Sequence, residues 1–179
     1  MSKKGTEQMV LIYYGKDTAL KEKINTVLDR MHVNYIELGQ NDLSKKLKDL
    51  VQKEEHALDL EGNSQIFMYF YDEKVDTITK IDNALKEEGI FVRHKAVTTP
   101  TNLEWTLQEL ISHIEAEASY FQKREKLRSL VSNPDLVKVS QDPKYRNLMS
   151  MCYELLEEND VPEKMLDTAI ALIEHYPEA

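Results

Sequence analysis

One cysteine, five glycines, five prolines and a single tryptophan in 179 residues exclude several classes of protein at the outset. A lone thiol, Cys152, cannot close an internal disulfide or supply a thiolate-rich zinc site. So little Gly and Pro, with no biased tract, excludes collagen-like and low-complexity chains, and 41% apolar residues exclude wholesale disorder. No run approaches the roughly 18 to 20 apolar residues that span a bilayer, and Met1 to Glu7 leads into a strand-like segment without the apolar stretch of a signal peptide. A cytoplasmic protein with no membrane partner is expected. Basic residues are also short, with 23 Lys+Arg against 32 Asp+Glu. A chain of net charge −9 repels a phosphate backbone, so nucleic acid is not an expected partner. Up to Asn102 the count is 15 basic against 17 acidic, net −2, and beyond it 8 against 15, net −7. Any partner steered by charge to the C-terminal part should therefore be basic.

Against these absences stand two continuous apolar runs, Met9 to Tyr14 and Gln65 to Tyr71, which read as strands buried on both faces. Shorter strands are expected at Asn34–Leu38 and Ile90–Val97. Between them Leu20, Ile24, Val27, Leu28 and Met31 recur at helical spacing, as do Leu43, Leu47, Leu50 and Val51, and then Val75, Ile78, Ile81 and Leu85. Lys53 to Asn63, with Glu54-Glu55-His56, reads as a loop. The alternating order predicts an α/β fold: a four-stranded, mostly parallel sheet with helices on both faces. A ferredoxin-like α+β sheet is the competing arrangement. No internal repeat is evident.

A long helix is expected from about Asn102 to Val131. Leu103, Leu107, Leu110, Ile111, Ile114, Ala118 and Phe121 share one face, while Trp105, Ala116, Tyr120, Leu127, Leu130 and Val131 form a second apolar stripe. Two apolar faces need two partners. The sheet supplies one, and a helical pair between Asp142-Pro143 and Tyr176, broken at Asn159–Pro162, supplies the other. The domains are then an α/β part over 1–121 and an acidic helical extension over 122–179.

Ligands of open parallel sheets bind beyond the carboxyl ends of the strands, near the point where strand order reverses. That position selects Asp17, Asp72, Lys95, Thr98, Thr101 and Asn102. Two acids there could hold Mg²⁺, and Lys95 with hydroxyls and free helix amides could hold a phosphate or other anion. The plainer reading makes Asp17 and Asp72 helix caps and Thr99-Pro100-Thr101-Asn102 a strand-to-helix turn. Glu109, His113 and Glu117 lie at metal-ligand spacing but flank an apolar stripe, where solvated charges belong. Cys152 among Leu148, Met149, Leu155 and Leu156 reads as a small buried hydrophobe, and Tyr13, Tyr14, Tyr69 and Tyr71 as core rather than a base-stacking surface. No Gly-rich phosphate loop, Gly-x-Ser-x-Gly or His-Glu-x-x-His motif occurs, so the residues identify no catalytic group, no metal site and no required cofactor.

The run Phe91 to Leu110, with Lys95-Ala96-Val97, Thr99-Pro100-Thr101-Asn102 and Trp105, resembles the signature of a bacterial family known as domain of unknown function 3783. The likeness extends in pattern from about Met9 to Phe121. It implies no activity and no catalytic residues. Two functions are compatible with these residues. One is a non-enzymatic interaction or regulatory module that binds a protein partner or a second copy of itself, with Trp105, Tyr120 and Leu127 as candidate surface residues. The other is a small-ligand or Mg²⁺-dependent anion site at the strand ends.

Overall fold

A computed structural model describes residues 7–53 and 58–178, which fall into two compact units divided between Glu115 and Ala116. Glu54-Glu55-His56, within the expected loop, lies outside the described residues. In the first unit the two apolar runs become β1 (Met9–Tyr13) and β3 (Phe67–Tyr71), at the centre of a sheet of order β2-β1-β3-β4. The edges are β2 (Tyr35–Leu38) and β4 (His94–Val97). Strands apolar on both faces must be covered twice, and their side chains divide between two cores. Val10, Ile12, Met68 and Phe70 pack with Ile24 and Leu28 of α1 (Lys21–Arg30) and with Ile81 and Leu85 of α3 (Val75–Glu87). Leu11, Tyr13, Phe67 and Tyr69 pack with α2 (Leu47–Leu50) and with Leu107, Leu110 and Ile111 of α4 (Leu107–Ser132).

The sheet is mixed. β1 pairs with β2 and β3 with β4 in parallel, but β1 and β3 run antiparallel, with Leu11 opposite Tyr69. A split β-α-β, ferredoxin-like sheet would insert a strand between the two that flank a helix; here those strands are adjacent. Although no repeat is evident in the sequence, the order strand, helix, strand, 3₁₀ turn, helix occurs twice in this unit, with an extra 3₁₀ turn at Thr18–Leu20 in the first.

Several boundaries differ from expectation. β4 is confined to four residues, and Phe91 before it is 65% exposed. The expected helix from Asn102 is a 3₁₀ turn over Asn102–Glu104, after which Trp105 is extended and α4 begins at Leu107. Trp105 therefore does not sit on the helix. It packs against the core of Leu11 and Leu107, and its ring meets that of His113 in a T-shaped arrangement with centroids 5.1 Å apart.

Both α1 and α3 end in a left-handed residue, His32 at φ 55° and Gly89 at φ 75°. The next amide reaches back to close the helix in each case, Val33 to the Leu28 carbonyl and Ile90 to that of Leu85, both at 2.9–3.0 Å. Left-handed backbone costs a side-chain-bearing residue about 1–2 kcal/mol. His32 is exposed, so His32→Gly should stabilise the unit by up to about 1 kcal/mol after the added chain entropy of glycine. A rise in the thermal midpoint checks this, and a fall refutes it.

The second unit holds the remainder of α4 with α5 (Leu136–Gln141), α6 (Pro143–Glu157) and α7 (Glu163–Glu174). Its core is Leu127, Cys152, Leu156, Val161, Leu166, Ala169 and Ile170. Asp142 caps α6, accepting from the Lys144 and Tyr145 amides at 2.8 and 3.2 Å, with Pro143 in the first turn as its sequence predicts. α5 is an additional short helix in the link between α4 and α6; Asp135 caps it by accepting from the Val137 and Lys138 amides. Arg124 donates to the Leu156 and Glu158 carbonyls at 2.6 and 3.0 Å, satisfying acceptors that the end of α6 leaves unpaired.

Candidate functional site

The antiparallel β1/β3 pair decides what happens to the strand-end residues. A shared carboxyl edge requires these strands to point the same way. Here Tyr13, at the end of β1, lies opposite Phe67, at the start of β3. Asp17 and Asp72 are thereby placed at opposite ends of β3, about 17 Å apart along a five-residue strand. Asp17 accepts from the Ile66 amide at 2.9 Å and makes no side-chain cap. Asp72 is not a cap either, since Lys74 holds that position; it adopts φ 55° and donates its amide to Thr98 Oγ1 at 3.0 Å. Thr98 in turn donates to the Phe70 carbonyl at 3.1 Å. Lys95 projects to the side of the sheet that α3 covers and pairs with Asp82. The Asp82 carboxyl is held below its ordinary value by hydrogen bonds from Lys86 and Lys95. Asp72 and Thr98 are thus brought together, whereas Asp17 and Lys95 are each engaged elsewhere.

Asn102 is the buried member of the candidate set. Its Oδ1 accepts from the Tyr69 hydroxyl at 2.9 Å and the Thr99 amide at 3.0 Å, and its Nδ2 donates to the Val97 carbonyl at 2.9 Å. Its own amide donates to Thr99 Oγ1 at 3.1 Å. These bonds fix the strand-to-helix turn, leaving Thr101 exposed beside it. Asp42 is the second buried polar residue among those described. Burial alone would raise its carboxyl, but hydrogen bonds from Lys53 (2.7 Å), the Gly39 amide (2.9 Å) and Lys45 (3.0 Å) hold it below the ordinary value. Its counter-ion Lys53 is itself nearly buried, with a side chain 7% exposed.

The remaining constellations have structural roles. Glu109 accepts from the Thr106 amide at 2.7 Å while its own amide donates to Thr106 Oγ1, a reciprocal cap at the start of α4. No group of three or more His, Cys, Asp or Glu able to hold a metal occurs among the described residues. Tyr13, Tyr14 and Tyr69 are buried in the two cores, as core packing predicts. Leu127 is fully buried in the second unit, and Tyr120 packs on the same cluster with Arg124 donating to its hydroxyl. No described helix is long and apolar enough to cross a membrane.

An apolar concavity lies within the second unit. A groove of about 460 Å³ runs between α6 and α7, lined by Leu148, Met151, Leu155, Met165, Thr168 and Leu172, with Cys152 at its floor. Met151, Met165 and Leu172 are 61%, 48% and 53% exposed. The signal for these residues is present in the sequence, since α6 and α7 carry more apolar residues than one core-facing stripe requires. Burial pushes the Cys152 thiol above its ordinary value. Alkylation of Cys152 should accordingly be slow in the native protein and rapid in denaturant, and rapid native labelling would show the thiol open to solvent.

No curated protein and no solved structure matches the chain. A family model matches residues 66–121, from the residue before β3 into α4. The likeness read from about Met9 is therefore shown from residue 66 onward. The matching model is described as Domain of unknown function (DUF3783), the family whose signature the Phe91–Leu110 run resembles.

Proposed function

We propose that the protein is an interaction module whose α6/α7 groove receives an amphipathic helix with a basic flank. The observation that carries this reading is the apolar groove itself, with three large side chains about half exposed along it. Two of those side chains are methionines, whose flexibility suits a helix-receiving surface. The charged residue lining the groove is Lys164, so it is the acids beyond the lining that favour a basic flank on the occupant. Glu163 and Asp167 share an ion pair with Lys123, and Glu174 pairs with Lys126. Among the described residues Glu154, Glu157, Glu158 and Asp160 form no ion pair, and they lie in the last turn of α6 and just after it, where the helix dipole adds negative potential. A basic residue at the end of a docked helix would meet that cluster.

A fluorescent Leu/Lys amphipathic helical peptide is the probe. It should bind saturably, with affinity falling as salt rises. Met151→Glu combined with Leu172→Glu should weaken it at least tenfold without changing the circular dichroism, because both side chains are exposed. Equal binding by a Leu/Glu peptide, or indifference to the substitutions, would remove the proposal. Self-association abolished by the same substitutions would assign the groove to a second copy instead.

A further inference from the structure

We infer that residues 9–51 are a second, diverged copy of the domain matched at 66–121, and that the surface joining them is this domain's self-pairing surface, occupied within the chain by its own sibling.

The correspondence holds residue by residue. Adding 58 to β1 gives β3, and adding 60 to β2 gives the matching part of β4. Under these shifts Val10↔Tyr35, Leu11↔Ile36 and Ile12↔Glu37 become Met68↔Lys95, Tyr69↔Ala96 and Phe70↔Val97, which are the observed pairs. A shift of 57 carries α1 onto α3, placing core residues Ile24 and Leu28 on Ile81 and Leu85. The same shift carries left-handed His32 onto left-handed Gly89, and the closing bond of Val33 onto that of Ile90. A shift of 60 carries Leu43, Leu47 and Leu50 onto Leu103, Leu107 and Leu110. It also carries the Gly39 amide bond to Asp42 onto the Thr99 amide bond to Asn102. The two buried polar residues among those described thus occupy one position in two copies.

The junction has the symmetry of a twofold pair. Leu11 and Tyr69, equivalent to each other, face each other across β1/β3, and Met9↔Tyr71 is the image of Tyr13↔Phe67. At a second point on the same axis Lys46 bridges Thr106, also its equivalent. Leu47 donates to the Trp105 carbonyl and Leu107 to the Lys45 carbonyl, each at 3.0 Å. Two equivalent surfaces meeting in this way form an isologous contact, the geometry of a symmetric dimer. One copy alone would leave the outer edge of its first strand without hydrogen-bond partners, so a second copy is the partner that fits.

Two full-length variants test this. In the first, residues 20–33 are replaced one for one by the sequence of 77–90, with a control carrying 76–89, one residue out of register. The matched transplant should keep a single cooperative thermal transition, and the control should lose it. In the second, Met9–Gln52 is replaced by the sequence Phe67–Ser112. Thr106→Cys is introduced in both copies, in a Cys152→Ala background. This chain should be a folded monomer, and mild oxidation should link the two cysteines internally, because directly opposed bridge residues lie within disulfide reach. Absence of the link, loss of the fold in the half-replaced chain, or no difference between matched and shifted transplants would each overturn the inference.

Discussion

Asp42→Ala is expected to destabilise the first unit by about 3–5 kcal/mol, the cost of leaving one partner of a buried ion pair without the other. The reason lies with Lys53. Its ammonium has little access to water and sits 2.7 Å from the carboxylate, so removal of Asp42 leaves a nearly buried charge uncompensated. Lys45, with a side chain 46% exposed, can turn back to solvent and contributes little to that cost. Asp42→Ala combined with Lys53→Met should recover much of the loss, because a well-packed apolar pair is often as stable as the ions it replaces. Denaturant titration of the single and double variants measures the coupling; additive effects would show that the pair does not act as a unit.

The same group sets an acid dependence. A carboxyl whose folded value is depressed contributes stability that is present above its unfolded value, near pH 4, and is lost as pH falls through the folded value. The advantage of the natural chain over Asp42→Asn should therefore shrink on acidification below about pH 4. An advantage that stayed constant from pH 7 to pH 3 would contradict the assignment.

Leu127→Ala carries the second large effect, about 2–5 kcal/mol, read in the second unit. Leu127 is fully buried among Cys152, Leu156, Leu166 and Ile170, so truncation leaves a cavity between three helices as well as losing apolar burial. Amide protection should fall across α6 and α7, measurable by hydrogen exchange. Met151→Ala, at a side chain mostly in water, should change stability by less than about 0.5 kcal/mol. Similar losses for the two substitutions would mean that Leu127 is not the centre of this core.

The local elements were legible in the sequence because each rests on short-range physics. The Met9–Tyr13 and Phe67–Tyr71 runs show that both strands are covered twice, and the spacing of Ile24, Val27 and Leu28 shows which side of α1 is apolar. Asp142-Pro143 announces α6 through hydrogen bonds to residues two and three positions away. The family signature rests on consecutive residues too, and its match covers 66–121. The strand-end candidates fared differently. Their grouping depended on β1 and β3 pointing the same way, and direction is not written in an apolar run.

Only the tertiary structure decided that these strands oppose each other, because that choice depends on where the chain between β2 and β3 carries its end. With it came the separation of Asp17 from Asp72, the meeting of Lys46 with Thr106, and the twofold relation between halves. The repeat escaped the sequence because its shift drifts between 57 and 60, and few identities survive where only burial and backbone geometry are held in common. Composition determined what the chain could bury and what charge it would present. Which buried surfaces meet, and in which direction, is a long-range agreement among segments that no local window contains.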